Sequence, residues 1–245
     1  MKIVNGRRAV KIRLREPEDS GYLLLAGEVG RWLGPFPAAT RATKGVAARL
    51  SRLAATLALR DDVEQATVFR AVLRPPGEGG EILDRRGRSH ARYDIVVLIR
   101  TTSPDIAKQL RDDPGYRALA ETLRRETRRT HQIVARNAAR IDTVDPARDH
   151  AFLFNFFYAD DNDVLLDVWE YTAGWFQNKT DLPNSTLMRP LDGEPADYGI
   201  INHASWPGLR TFLPSLLFRP SFRSFVLANF KANGVAAQPI IYRRT

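Results

Sequence analysis

The pattern of apolar and polar residues is clearest in the second half of the chain. The dense apolar run Ala151–Tyr158 ends at the polar stretch Asp160–Asp163, which is typical of a buried strand. Beyond it, apolar residues recur every three or four positions, which predicts a helix over Val164–Asn178 with Asp163 as its N-cap. Later apolar runs predict two strands, a helical region that two prolines break or kink, and a last strand: Ser185–Leu191, Asp197–Ser205, Pro207–Asn233 and Ala237–Arg243. The predicted order is β-α-β-β-α-β.

The first half follows the same order with a less regular pattern. The pattern predicts a helix over Val46–Leu59, followed by strands over Gln65–Arg74 and Tyr93–Thr101. A second helix begins at Ser103-Pro104 and extends over 103–128, and a closing strand covers His131–Ala138. The alternating segment Ala9–Leu14 is the best match for the opening strand. That choice leaves Tyr22–Phe36 as a helical insertion. Four glycines and two prolines in Pro75–His90 predict a mobile loop.

Three segments of the first half have counterparts, in the same order, in the second half. The pairs are Thr67–Arg70 with Thr186–Arg189, Asp94–Pro104 with Asp197–Pro207, and Pro114–Leu119 with Pro220–Phe225. This alignment places His203 on Arg100 and Trp206 on Ser103. We therefore predict a duplication, with a first repeat over residues 1–145, including an N-terminal extension and the loop 75–90, and a second over residues 146–245. Each repeat has the ferredoxin-like split β-α-β order, so the predicted class is α+β.

Composition and charge exclude several classes of protein. Hydrophobic residues make up 44% and charged residues 27% of the 245 positions, as in globular proteins, and there is no cysteine. The formal charge of +9 comes from the first half, since residues 150–245 hold 8 basic and 9 acidic side chains. Nucleic-acid binding is a minority interpretation because no basic arm or known binding motif accompanies this charge. No signal peptide and no membrane-length apolar run is visible, so a cytoplasmic protein without a membrane partner is expected.

One polar side chain interrupts the apolar strand of the second half. Asn155 is the single amide within Phe152–Tyr158. A buried amide without a hydrogen-bond partner costs about 1–3 kcal/mol. Asn155 is therefore interpreted either as an amide that ties two strands together or as a group that orients a ligand.

The segment Ile201–Trp206 is the second candidate for a working site. Strand alternation predicts that Tyr198, Asn202 and Trp206 share one face and that His203 lies on the other. Histidine is the side chain most readily used as an acid or base near neutral pH. A structural hydrogen bond is the simpler interpretation of His203.

Aromatic residues also share a face of the helix predicted over Val164–Asn178. They are Trp169, Tyr171, Trp175 and Phe176. Core packing is the simpler interpretation of this face, and a flat wall for an aromatic ligand is the alternative. No nucleotide-binding motif occurs, and the four histidines lack metal-ligand spacing, so no cofactor and no metal is predicted.

Two β-α-β-β-α-β units in one chain resemble the dimeric α+β barrel superfamily, in which two sheets face each other and enclose a pocket. The second half is most similar to the antibiotic-biosynthesis monooxygenases and the small polyketide cyclases, which hold a polycyclic phenol or anthrone without metal or flavin. The resemblance implies a cofactor-independent oxygenase or cyclase whose aromatic ligand lies between the two sheets. The residues that it implies are His203, Asn155 and Trp206 for catalysis, and Tyr198, Asn202, Trp169, Trp175 and Phe157 for substrate contact.

Two other classes stay open at this point. One is a haem-binding barrel, because some members of the superfamily bind haem. The other is a non-catalytic ligand-binding or assembly module, in which the basic first half contacts an anionic partner. Assembly into a homo-oligomer is compatible with each of the three.

Overall fold

The computed structural model describes residues 1–195 and 197–245. Its strands are β1 Gly21–Glu28, β2 Trp32–Leu33, β3 Phe36–Pro37, β4 Val63–Leu73, β5 Ile95–Thr101, β6 Arg129–Asp142, β7 Ala151–Tyr158, β8 Asn184–Pro190, β9 Ile200–Trp206 and β10 Ala236–Arg244. Its α-helices are α1 Arg41–Leu57, α2 Gly80–Arg85, α3 Pro104–Gln109, α4 Pro114–Glu126, α5 Asp163–Thr180, α6 Leu209–Phe218 and α7 Ala228–Ala232. A stretch of π-helix, Phe222–Leu227, leads into α7.

Eight of the strands close into one antiparallel barrel in the order β1-β5-β4-β10-β7-β9-β8-β6, and β2 pairs with β3 in a separate hairpin. The strands of each half are neighbours around the barrel: β6-β1-β5-β4, then β10-β7-β9-β8. Each half therefore arranges its four strands in the order fourth, first, third, second. The halves join where β4 pairs with β10 and where β6 pairs with β8. This architecture is an α+β barrel with helices outside the sheets.

The first barrel strand is Gly21–Glu28, so the prediction of Ala9–Leu14 as that strand, with a helical insertion over Tyr22–Phe36, was wrong. Residues 9–14 cross the outside of α5, where Gly174 lies against Val10 with no room for a Cβ atom. A strand buried on both faces needs a continuous apolar run rather than alternation. Tyr22–Ala26 is such a run, and all of it is buried.

The segment Pro75–His90 was predicted to be a loop, yet it contains α2. Ile82 and Leu83 of this helix are buried. Ahead of α2, Glu78 forms an isolated antiparallel bridge with Ala237 of β10. The two apolar side chains supply the burial that holds this glycine-rich segment against the barrel. Its mobility stays a prediction.

The helical regions after the third strand of each half are interrupted. After Ser103 caps α3, a short 3-10 turn intervenes and Asp113 caps α4, so the helix does not run through Pro114 as predicted. In the second half the region consists of α6, the π-helical turn and α7. Proline removes an N–H donor and clashes with the preceding turn, which explains the break before Pro114.

Strand pairing shifts one of the three predicted segment pairs, Asp94–Pro104 with Asp197–Pro207, by two residues, whereas Thr67 and Thr186 occupy matching positions as aligned. β1 and β7 both have eight residues, and their first residues pair with the last residues of β5 and β9: Gly21 with Thr101, and Ala151 with Trp206. By position in the pairing, Trp206 therefore corresponds to Thr101, and His203 to Leu98. An even shift leaves the facing of every side chain unchanged, so the sequence pattern could not reveal it.

Candidate functional site

Strand β7 separates two environments. Phe152, Phe154 and Phe156 point into the barrel, where they pack with aromatic side chains of both sheets. Leu153, Asn155 and Phe157 point outwards, beneath the helices of the second half. The prediction that this strand is buried is confirmed, and both of its faces are covered. The barrel interior is a packed aromatic core, whereas space for a ligand lies on the outer face of the second sheet.

A cavity of about 120 Å³ lies between the sheet of the second half (β10-β7-β9-β8, called the second sheet), α6 and the π-helical turn. A smaller space of about 30 Å³ beneath α5 shares Leu153, Asn155, Phe176, Trp206 and Phe230 with it. We call the two spaces together the second-half cavity. Further lining residues include Phe157, Trp169, Asn202, Phe212, Leu213, Leu216, Leu217 and Phe222. The lining is mostly apolar and aromatic, with few polar groups, as in small-molecule sites.

Asn155 is a buried polar residue of this cavity with unused bonding capacity. The residue is 9% exposed, and its buried Oδ1 has no hydrogen-bond partner among the described residues. Directly across the strand pair lies Asn202, whose Oδ1 accepts a hydrogen bond of 2.6 Å from Ser185. On the other side, Asn155 lies opposite Pro239 of β10. Two buried amides thus stand side by side under the helices, and one of them lacks the partner that a structural amide normally has.

Trp206 forms a wall of the cavity rather than a free donor. Its Nε1–H already donates to the carbonyl and to the hydroxyl of Thr180, at 3.2 Å each. Its ring stacks on Phe212 with a centroid distance of 4.2 Å. The N–H group that a ligand anion would need is therefore engaged at the end of α5.

His203 lies on the opposite face of β9 from Asn202 and Trp206, inside the barrel. Its ring stacks on Phe154 at 4.2 Å, and Nδ1 lies 3.1 Å from the Leu153 carbonyl. Burial lowers the pKa of His203 to about 4, so the imidazole is neutral at pH 7. The structure does not bring this histidine together with Asn155.

Tyr198 also faces the barrel interior, which departs from the predicted shared face with Asn202. Its hydroxyl donates to the Ser89 carbonyl at 3.2 Å, and burial raises its pKa. The alternation fails because β9 begins only at Ile200, so Tyr198 and Gly199 precede the regular pleat. Strand periodicity holds only within the strand.

The predicted aromatic residues of α5 divide into two groups. Trp169 and Phe176 line the second-half cavity together with Phe157 of β7. Trp175 lies outside the lining. Its Nε1–H donates to Ser221 Oγ at 3.0 Å, and its ring packs against Phe222. Trp175 thus holds α5 against the π-helical turn.

Two charged residues of the lining were not predicted from the sequence. Glu78 comes from the first half, and its backbone is fixed by hydrogen bonds of 3.0 and 2.9 Å with Ala237. Arg223 comes from the π-helical turn. A Cβ on Gly77 would overlap the Ala237 carbonyl, and Gly79 has a φ of 69°. These two glycines, which the sequence pattern marked only as loop, let the segment reach the cavity.

The lining does not fit an axially ligated haem. No histidine, cysteine, methionine or tyrosine is among the residues described around the second-half cavity. These are the side chains that bind haem iron. The described residues also contain no cluster of three or more histidine, aspartate or glutamate side chains arranged to hold a metal ion.

The closed barrel of two four-stranded sheets with outer helices is the dimeric α+β barrel fold. No family model matches the chain, and no curated protein matches its sequence. Among solved structures, an anthrone oxidase-like protein matches with a TM-score of 0.66 at 11% identity, over 93% of this chain and 92% of that one. Two candidate monooxygenases also match. The protein from Fusobacterium nucleatum has a TM-score of 0.54 at 8% identity, over 93% of this chain and 95% of its own. The protein from Lactobacillus acidophilus has a TM-score of 0.52 at 6% identity, over 92% and 94%. The shared feature is the fold.

Within the described residues, no helix combines the length and the apolar character needed to cross a bilayer.

Proposed function

We propose that this chain is a cofactor-independent enzyme that binds a flat, apolar, hydroxyl-bearing aromatic molecule in the second-half cavity and acts on it as an oxygenase or a cyclase. The observation that carries the proposal is the buried, unpartnered Oδ1 of Asn155 within an aromatic lining. Buried polar groups are normally paired, and a bound ligand is one way to supply the partner of this oxygen. The fold shared with monooxygenase-like and oxidase-like proteins supports the reaction class.

In this proposal Asn155 and Asn202 hold the oxygen of the substrate. A half-turn of an amide exchanges its oxygen and nitrogen, so Asn155 can accept from a phenol O–H or donate an N–H to the phenolate. Phe157, Trp169 and Trp206 supply the flat walls. His203, Tyr198 and Trp175 have no contact with the substrate, because none of them lines the cavity.

The proposed first step is removal of a proton from an acidic O–H or C–H of the substrate. Glu78 is the carboxylate of the lining and takes this proton, while the electron pair stays on the substrate as an enolate or phenolate. The amide N–H groups of Asn155 and Asn202 stabilise the anion within the mostly apolar lining. The carbanion form of the anion then follows one of two routes. It bonds to molecular oxygen, and the resulting peroxide takes up the proton from Glu78 and loses water to leave a ketone. Alternatively it attacks a carbonyl of the same molecule, whose oxygen takes up that proton as the ring closes.

We also propose that the barrel arose by duplication of one ferredoxin-like unit. The identical strand order of the two halves and the equal lengths of β1 and β7 support this origin. Under this proposal the second copy keeps the working site, and the first copy supplies a sheet of the barrel and Glu78.

The test is binding and turnover of an anthrone by the purified protein, followed by quenching of tryptophan fluorescence and by oxygen uptake. Asn155→Leu should abolish binding, whereas His203→Phe should leave it within about twofold, since His203 does not line the cavity. Binding without turnover would identify a ligand-binding module. Loss of binding in the His203 variant, with Asn155→Leu unchanged, would place the site inside the barrel and contradict the proposal. A haem absorption band in the purified protein would contradict it independently.

A further inference from the structure

Helix α6 has an apolar outer face beside the mouth of the second-half cavity. Pro214, Leu217 and Phe218 are spaced three and four residues apart, and all three are exposed, Phe218 to 78% and Leu217 to 53%. No charged residue occurs between Thr211 and Phe218. Leu217 also lines the cavity, so this face is continuous with the entrance. We call these three residues the α6 face.

All charged residues that follow Asp197 in the sequence, including those next to the α6 face, are basic. After Asp197 the sequence contains six cations and no acidic residue, and Arg210, Arg219 and Arg223 flank the face. Among the described residues, none of these six cations forms an ion pair. In the first half, by contrast, many arginines are paired with carboxylates, as in Arg60 with Asp113 and Arg86 with Asp160.

This combination argues for an anionic partner. Two copies of the chain that met through the α6 face would bring Arg210, Arg219 and Arg223 of each copy together, and no acidic residue after Asp197 offsets them, which is unfavourable. A surface with negative charge outside and an apolar layer beneath it would satisfy both the arginines and the apolar side chains. The anionic phospholipid bilayer has this structure.

We propose that the protein docks reversibly on anionic membranes through the α6 face. Phe218 and Leu217 enter the interface between headgroups and acyl chains, while Arg210, Arg219 and Arg223 contact lipid phosphates. The entrance of the second-half cavity then faces the bilayer, in which an apolar aromatic substrate concentrates. This surface contact differs from a membrane span, and it revises the sequence-based expectation of no membrane partner.

The role in substrate delivery rests on the proposed function, but docking itself does not, because it is measured without any ligand. The experiment is flotation of the full chain with vesicles of phosphatidylcholine alone or mixed in equal parts with phosphatidylglycerol. The protein should bind the mixed vesicles, bind the neutral ones at least tenfold more weakly, and dissociate as salt is added.

Variants locate the docking surface. Phe218→Ser should weaken binding about tenfold through the lost apolar contact, and Arg223→Gln about fivefold through the lost charge. The matched control is Leu33→Ser with Phe36→Ser in the β2–β3 hairpin, where the same two residue types are 71% and 57% exposed. This control should bind like the wild type. Circular dichroism and the melting temperature confirm that each variant is folded.

Several outcomes would overturn docking through the α6 face. They are equal binding to both kinds of vesicle, no binding to either, and loss of binding in the hairpin control but not in Phe218→Ser. A drop in molecular mass for Phe218→Ser in light scattering would show that the face joins copies of the chain instead. If anthrone binding fails while docking is observed, the proposed function fails and this inference stands.

Discussion

The two halves of the barrel differ in how side chains fill the space between the sheet and its covering helices. At the fifth position of β1, Leu25 lies opposite Val97, and at the fifth position of β7, Asn155 lies opposite Asn202. Leu25 and Val97 are fully covered and pack with the apolar faces of α1 and α4. The space under the helices is therefore filled with aliphatic side chains in the first half, and it holds two amides and a cavity in the second.

The helices that cover the sheets account for the cavity. In the first half, α1 and α4 contact each other and present buried aliphatic residues along their length. In the second half three elements cover the sheet: α5, α6 with its internal Pro214, and the π-helical turn. Broken helices leave gaps that regular helices close, and π-helical turns are frequent at functional sites. The proposed site thus lies in the half with the less regular cover.

The largest expected effect on stability comes from giving position 25 of the first half the residue type that the second half has at position 155. Leu25→Asn places an unpartnered amide in a filled aliphatic layer, and we expect it to lower the free energy of unfolding by about 4 kcal/mol. Denaturation in urea measures this change. A loss below about 1 kcal/mol would show that the first half also tolerates polar groups under its helices, and the contrast between the halves would fail.

The opposite exchange, Asn155→Leu, should remove function and add stability. Ligand affinity should fall at least about 100-fold because the hydrogen-bonding group is lost and the space is partly filled. The free energy of unfolding should rise by about 1–2 kcal/mol, since an unpartnered buried amide disappears. Anthrone titration and urea denaturation check the two effects. A destabilised Asn155→Leu would instead identify Asn155 as a structural amide.

The buried histidines should make stability depend on pH. Burial lowers the pKa of His203 and of His131 to about 4. The unfolded chain therefore binds protons that the folded chain does not, and stability falls as pH drops below the ordinary histidine value near 6.5. When the pH falls from about 7.5 to about 5, each histidine should lower the free energy of unfolding by about 2 kcal/mol.

His203→Phe should remove about half of this pH dependence, and His131→Phe the other half. Urea denaturation at the two pH values measures each contribution. If the stability of His203→Phe falls with acidification as steeply as that of the wild type, His203 is protonated in the folded barrel.

The smallest effect concerns the segment that carries Glu78 from the first half to the cavity. Gly77→Ala should move this segment away from Ala237 and lower the free energy of unfolding by about 1–2 kcal/mol. Ligand binding should weaken by a similar free energy. Gly87→Ala is the matched control, because it also lies in this region but a Cβ there meets no other atom. It should cost stability through its positive φ yet leave ligand affinity unchanged. Equal affinities in the two variants would show that Glu78 is not part of the site.

Much of the architecture was predictable because its signals are local. The second-half strands and the start of α3 at Ser103 follow from apolar runs and capping residues, and the strand β7 was predicted with its bounds. The first strand was missed because a strand covered on both faces has no alternation to detect. The aligned pair Asp94–Pro104 with Asp197–Pro207 was displaced by two residues because a shift of two preserves every inward and outward position.

The amino-acid sequence already identified the unusual residues, above all Asn155 within a run of phenylalanines and Trp206 at the end of β9. It also determined that the strands alternate, so that Asn202 and His203 had to face opposite ways. Which of the two faces holds the cavity depends on the folded chain, because aromatic rings fill the barrel interior while the interrupted helices leave space outside the sheet. Folding also brings Glu78 to that cavity from a distant segment. Periodicity reports relative facing along one strand, but how completely a layer is filled depends on side chains that come together only when the chain closes on itself.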